Sequence, residues 1–343
     1  MTAYFIRRIL LMIPTFIGVT FVVFVVMRNV PGGPIEQAKI EKLKAAMSQG
    51  GTSSATASAS EDAGELTDGE KERLLAEYGI SDNIFLDYTS WLGKIVRFDF
   101  GKSNIFNISV SKLIMSKMPI SIFYGLITMF TIYAICIPLG LMKAIKHQSL
   151  FDNMTSGLVY LGYAVPGYAL GALLIVFVSS QWGLLPLGKF VSDNFAYLSF
   201  GARVWDLIIH AILPLCCYLV GAFAFMTMLM KNQLLEQMSS DYVRTALAKG
   251  VPYKTVIFKH ALDNSLIPIA TTFGNQISLL VGGSFLIESI FNIDGMGMLG
   301  FNSLLVKDYP VVMGVLAIST FLQLLGNILS DLCVAYVDPR IKF

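Results

Sequence analysis

Several side chains in this chain are of the kinds that catalysis needs, and each fails on spacing. Gly101-Lys102-Ser103 ends like a phosphate-binding loop, but the glycine required five positions earlier is Val96, so the nucleotide chemistry of that motif is excluded. His210 and His260 stand alone, without the neighbours a metal site needs. The four cysteines, Cys136, Cys216, Cys217 and Cys333, lie inside apolar stretches with neither metal-ligand nor disulfide spacing. They read as small packing residues. No paired aspartates or HExxH lie in the apolar stretches. The expectation is a chain that is not an enzyme and binds no metal or cofactor of its own.

A pattern sustained over many residues is found instead in Lys231–Ser265, KNQLLEQMSSDYVRTALAKGVPYKTVIFKHALDNS. Ser239 or Ser240 suits an N-cap, and Asp241 suits the positive end of a helix. The spacing predicts a helix over Tyr242–Lys249, stopped by Gly250 in the left-handed C′ position. Pro252 then opens the first turn of a second helix, with Tyr253, Val256, Ile257 and His260 at helical spacing. The product is a helix–glycine–helix elbow. Small Ala246 and Ala248 beside basic Arg244 and Lys249 would let it enter a groove in a soluble partner. An inert connector is the alternative.

The elements that hold this elbow are membrane spans. Of 343 residues, 55% are hydrophobic and 14% charged, with a mean hydropathy of +0.66; soluble domains carry about 25% charged residues. A net charge of +2 is too small to suggest nucleic acid as a partner. A span needs about 20 apolar residues, and six stretches qualify: about 9–29, 119–142, 154–181, 207–230, 266–288 and 310–335. The first follows Arg7 and Arg8 but is too long for a signal core and lacks a cleavage site, so it stays as an anchor. With the N-terminus inside, the inner segments hold Lys143, Lys146, Lys231, Arg244, Lys249, Lys254, Lys259, Arg340 and Lys342. The short outer loops hold Lys189, Arg203 and Lys307. The positive-inside rule therefore puts both termini in the cytoplasm.

Proline lies in or beside every span, at Pro14, Pro138, Pro166, Pro214, Pro268 and Pro310, which predicts kinks. Gly167 and Gly171 form a small-xxx-small pair for close helix approach. Of the long outer loop 31–118, the Ser/Ala-rich insert 48–68 is expected to be disordered. After it, Glu70–Tyr78 reads as a short helix ending at Gly79. Ser81 or Asp82 then caps a second helix that places Ile84, Tyr88, Trp91, Leu92 and Ile95 on one face. That face is expected to pack on the outer ends of the spans, or else to meet a delivered substrate carrier.

The segment DYVRTALAKGV followed by KHALDNSLIP resembles the EAA loop of ABC importer permeases in its dipeptide and oligopeptide form. Arg244 and Thr245 depart from the usual Glu and Ala, whereas Ala246 and Gly250 fit. The resemblance runs along nearly the whole chain: YFIRRILLMIPT, VPGGP (30–34), RFDFGKS (97–103), IPLGLMKA (137–144), GYAVPGY (162–168), ESIFNIDGMGMLG (288–300), DYPVVMG (308–314) and SDLCVAYVDPRI (330–341). VPGGP with VDPRI resembles the first permease subunit of peptide and nickel importers, and the insert, RFDFG and GAFAFMTMLMKN (221–232) are most similar to its Yej-type branch.

This resemblance implies an all-α type I importer permease with a MetI-like fold, serving oligopeptides or peptide antibiotics. Its implied parts are 1–30 (N-terminus and first span), 31–118 (periplasmic loop) and 119–343 (core, with coupling loop 231–265). Implied partners are a second homologous permease, two ATP-binding subunits (or one fused) that carry ATP and Mg, and a periplasmic or lipid-anchored binding protein. Coupling to the ATPase would fall on Tyr242, Arg244, Thr245, Ala246, Lys249, Gly250, Val251 and Pro252.

Polar groups at membrane depth are functional candidates. Glu288 would bind a peptide amine, hold a gate, or pair with a neighbouring helix. Asn275, Gln276 and Ser278, with Gln323 and Asn327, would line a path. Asp331 and Asp338 would pair with Arg340 or a partner subunit. A nickel or other small-solute importer is the alternative within the family. A stand-alone channel or secondary transporter is the alternative outside it, and would have no use for the elbow.

Overall fold

The computed structural model describes residues 2–29 and 83–337, with the backbone alone at 2, 3, 5, 275 and 278–281. Helix α1 (Thr2–Asn29) leaves Ile6, Leu10, Ile13 and Val22 more than half exposed. A helix this apolar all round belongs in lipid. Beyond α2 (Ile84–Val96), α3 (Val110–Thr131) continues through a π-helical stretch, Ile132–Cys136, into α4 (Ile137–Ile145). Pro138 explains the wider turn, because its ring would collide with a carbonyl one turn earlier in a regular helix.

Helix α5 (Leu150–Ala164) and α6 (Gly167–Leu174), which runs on as a π-helical stretch to Gln181, are bent by 91° at Val165-Pro166. Helix α7 (Phe200–Met238) is a 39-residue rod. The elbow follows as α8 (Asp241–Ala248) and α9 (Tyr253–Val256). Then come α10 (Leu262–Thr271), α11 (Phe273–Gly282), α12 (Phe285–Ile290), α13 (Met296–Leu305) and α14 (Tyr309–Val337).

Among the described residues four helices are long and apolar enough to cross a membrane, and the bent pair makes a fifth if taken as one span. The stretch 266–288 is not the continuous helix that hydropathy suggests. It breaks at Thr272 and again at Gly283, where φ is +59°. Pro268 also removes a backbone donor inside α10.

Two compact units are present: residues 2–14, 114–302 and 318–337 form one, and 15–29, 83–113 and 303–317 the other. In the first, α7 packs on α4, α5, α6 and α10. Lipid is as apolar as leucine, so close packing rather than hydrophobic burial must join such helices. The glycines show where. A Cβ on Gly140 of α4 would lie 2.8 Å from the Thr227 carbonyl of α7, and one on Gly167 of α6 would lie 2.5 Å from that of Cys217. Gly171 meets Phe291 and Cys217, so the expected pair does admit a neighbouring helix. Gly274 of α11 and Gly326 of α14 are just as close, each carbonyl 2.7 Å from a Cβ built on the other.

In the second unit α2 packs on α1. Tyr88 is buried, lies edge-on to Phe21 and Phe24, and donates its hydroxyl to the Ile17 carbonyl at 2.9 Å. Ile84, Trp91, Leu92 and Ile95 share this covered face, as the spacing predicts. The cap, however, is Asn83, whose side chain accepts from the Phe85 N–H. Ser81, Asp82, the Glu70–Tyr78 helix and the insert 48–68 lie outside the described residues.

Candidate functional site

The elbow is built by local chemistry. Ser240 has the extended backbone of an N-cap, but its hydroxyl donates back to the Gln237 carbonyl at 2.5 Å instead of capping α8. The other end closes as expected. Gly250 has φ +80°, its N–H donates to Leu247 O at 2.9 Å, and the Val251 N–H donates to Ala246 O at 3.2 Å. This pair of bonds is a Schellman motif, which satisfies the orphan carbonyls of a helix end. Pro252 then stands at the N-cap of α9, not inside its first turn.

One face of the elbow is anchored. Val243 is buried in a cluster with Met230, Leu234 and Val256. The Tyr242 hydroxyl donates to Gln237 Oε1 at 2.9 Å and accepts from Asn264 Nδ2 at 3.1 Å, bracing α8 against the end of α7 and the start of α10. The opposite face is open: Arg244, Thr245, Lys249, Gly250 and Pro252 are exposed, and Ala246 and Val251 are half-buried between the two. Arg244 is 73% exposed and 3.9 Å from the fully solvated Asp241, a contact worth almost nothing to the fold. Of the eight residues expected to couple, Ala246 and Val251 are thus half-buried, Tyr242 turns its hydroxyl back toward Gln237, and the other five are exposed.

Behind the elbow lies a buried ion cluster. Asp152 of α5 accepts from Lys231 of α7 at 2.7 and 2.8 Å and lies 3.1 Å from Lys143 of α4. Lys143, fully buried, also donates to the Asp152 carbonyl, Thr155 Oγ1 and Ser156 Oγ within 2.9 Å. Every donor is used, as a buried charge demands. In the sequence alone both lysines look like loop charges, and the cluster is not visible. Asp152, the sole acidic residue between 150 and 181, was the available signal.

Glu288 is 1% exposed. Its carboxylate accepts from the Met298 N–H at 2.7 Å and from Ser121 Oγ at 3.4 Å, while Ser121 Oγ accepts from the Met296 N–H at 2.9 Å. Gly295 and Gly297 leave room for it: a Cβ on Gly295 would lie 2.7 Å from the Glu288 carboxyl carbon. This carboxylate ties α3 to the first turn of α13. Gln323 Nε2 donates to Asn327 Oδ1 at 3.3 Å, one turn along α14 and beside the Gly274–Gly326 crossing. Gln276 is half-buried on α11, whereas the side chains of Asn275 and Ser278 lie outside the described parts.

Among the described residues Asp331 pairs with Arg8, through contacts of 2.8 and 2.9 Å. The start of α1 and the end of α14 therefore meet. Asp338 and Arg340 lie outside the described residues. In the other unit Ser103 donates to Asp308, whose carboxylate also accepts from the Asn104 N–H at 3.2 Å. Two motifs, RFDFGKS and DYPVVMG, meet here, and the serine of the phosphate-loop lookalike is occupied by structure.

A family model for binding-protein-dependent transport system inner membrane components matches residues 136–343. The inner membrane ABC transporter permease protein YejB of Escherichia coli O157:H7 is 38% identical over 361 residues, covering 100% of this chain and 99% of that one. A peptidoglycan transport system permease protein of Agrobacterium fabrum is 36% identical, with the same coverage. The oligopeptide transport system permease protein AppB of Bacillus subtilis is 33% identical over the full length of both chains.

Proposed function

We propose a transport role for this chain, which belongs to the family of binding-protein-dependent transport system inner membrane components and is a multi-pass protein of the inner membrane. It is the membrane subunit of an ATP-driven importer for oligopeptides or peptide-like antibiotics. A second homologous permease completes the membrane part. Two ATP-binding subunits, separate or fused, hold ATP and Mg and hydrolyse ATP beneath it. A periplasmic or lipid-anchored binding protein delivers cargo from outside.

The observation that carries this reading is the elbow. An isolated channel needs no exposed, glycine-closed helix braced on one face and free on the other. Helix α8 begins three residues after α7 ends, so a push on the elbow acts on a rod of 39 residues, about 58 Å long. Closure of the ATP-binding subunits would move Arg244, Lys249 and Gly250 with their groove, and α7 would rock with them. In this reading six spans cross the membrane, the fifth of them broken, with both termini and Lys231–Ser265 inside. The Arg8–Asp331 pair supports placing the two ends on one side.

Purification with the partner subunits, reconstitution into liposomes and an uptake assay test the proposal. Labelled peptide should accumulate only with ATP and binding protein present. Uptake that persists without the ATP-binding subunits would instead mark a secondary transporter.

A further inference from the structure

A cavity of about 380 Å³ opens in the first unit, lined by Gly167 and Tyr168 of α6, Cys217, Tyr218 and Gly221 of α7, and Gly283, Ser284, Leu286 and Ile287. Three features distinguish it from a packing fault. It lies at mid-span, because 217–221 is the centre of α7 (Phe200–Met238). Two helix breaks border it, the 91° bend before Gly167 and the left-handed Gly283. Broken backbone at membrane depth is tolerated only inside protein or beside a water-filled cavity, and in secondary transporters such breaks border the cargo site. No charged side chain lines it, and the nearby Glu288 carboxylate accepts from the Met298 N–H at the start of α13.

Its polar lining is neutral, from Tyr168, Tyr218 and Ser284, and the Tyr218 hydroxyl accepts from the Ser284 N–H at 3.3 Å and pins the break. The volume is at the small end of the roughly 300–1,000 Å³ of ligand pockets, enough for one large side chain and too little for a peptide. Gly221 forms an open wall: a Cβ there would meet nothing within 4 Å. Gly167 differs, since its hydrogen is the contact that lets α6 touch α7.

We propose that this cavity is a subsite on the translocation path that receives one neutral, apolar or aromatic side chain of the cargo. The inference rests on the peptide-import reading above. It makes the membrane subunit, and not its binding protein alone, selective for side-chain size.

The test uses the complete transporter in liposomes and tripeptides that differ only in a central Ala, Leu or Trp. Gly221→Phe fills the cavity without forcing the backbone, and gel filtration of the assembled complex checks that the variant folds. The ratio of Trp-peptide to Ala-peptide uptake should fall about tenfold, the scale on which an apolar pocket discriminates. On the unaltered protein, a tripeptide with a photoactivatable diazirine at the central side chain should cross-link to 217–221 or 283–287. An unchanged ratio in a folded Gly221→Phe complex overturns the subsite, as does a diazirine tripeptide that is imported yet never cross-links to 217–221 or to the lining residues between 283 and 287. In both cases wild-type uptake still stands and with it the importer reading. No ATP-dependent uptake of any peptide by wild type would instead remove that reading and the subsite together.

Discussion

The elbow around Gly250 and the loop around Glu288 both depend on glycine, for opposite reasons. At Gly250 the backbone is left-handed and a Cβ would touch nothing. The demand there is conformational. At Gly295 and Gly297 a Cβ would run into the Glu288 carboxylate or the Phe285 N–H, within 3 Å, and the demand is for space. An interior that must close around a carboxylate needs room, whereas a helix that must stop and turn in open solvent needs an angle. Substitutions should therefore separate loss of fold from loss of coupling.

The largest effect is expected in the interior. Asp152→Ala leaves Lys143 and Lys231 facing each other without their carboxylate, and removing one partner of a buried ion group costs about 3–5 kcal/mol. Thermal unfolding of the detergent-purified complex should show it as a sharp fall in midpoint or as loss of assembled protein. Near-normal melting would mean that the cluster is wetter than its burial implies. Next comes Gly295→Val, where overpacking against Glu288 costs about 1–3 kcal/mol. Its melting midpoint should fall together with uptake, in proportion.

Gly250→Val should break that proportion. Left-handed strain costs a β-branched residue about 1–2 kcal/mol, while the spans are untouched. Assembly into the membrane should survive, yet peptide uptake and substrate-stimulated ATP hydrolysis should collapse. Arg244→Ala should move stability least, by under about 0.5 kcal/mol, because its ion pair is solvated. Any defect it has should appear in ATPase stimulation. A melting shift in Arg244→Ala larger than in Gly295→Val would reverse the contrast between the two regions.

The elbow was legible because everything that makes it is local: Ser240, Val243, Gly250 and Pro252 lie within 13 residues, and capping chemistry acts over one turn. Even there the serine hydroxyl and Pro252 took neighbouring roles, as happens at helix ends within a residue or two. The covered face of α2 was legible from periodicity, though its cap fell two residues past Ser81, at Asn83. The broken stretch 262–290 was not legible. Hydropathy averages over a window and cannot register a break at Thr272 or Gly283 that is held by the Gly274–Gly326 contact and by Tyr218. The same holds for Lys231 and Asp152, 79 positions apart. A lysine near a span end looks like a loop charge until its partner is placed beside it.

The central claim is that the exposed face of α8 seats in an ATP-binding subunit, and cross-linking tests it most directly. A photoreactive residue would be placed at Arg244 or Lys249, which point away from the packed core, in the assembled transporter. The account predicts an adduct with the ATP-binding subunit that changes in yield between the ATP-bound and nucleotide-free states. A complex that imports peptide normally while neither position ever cross-links to that subunit would contradict it, and would make the elbow an inert connector.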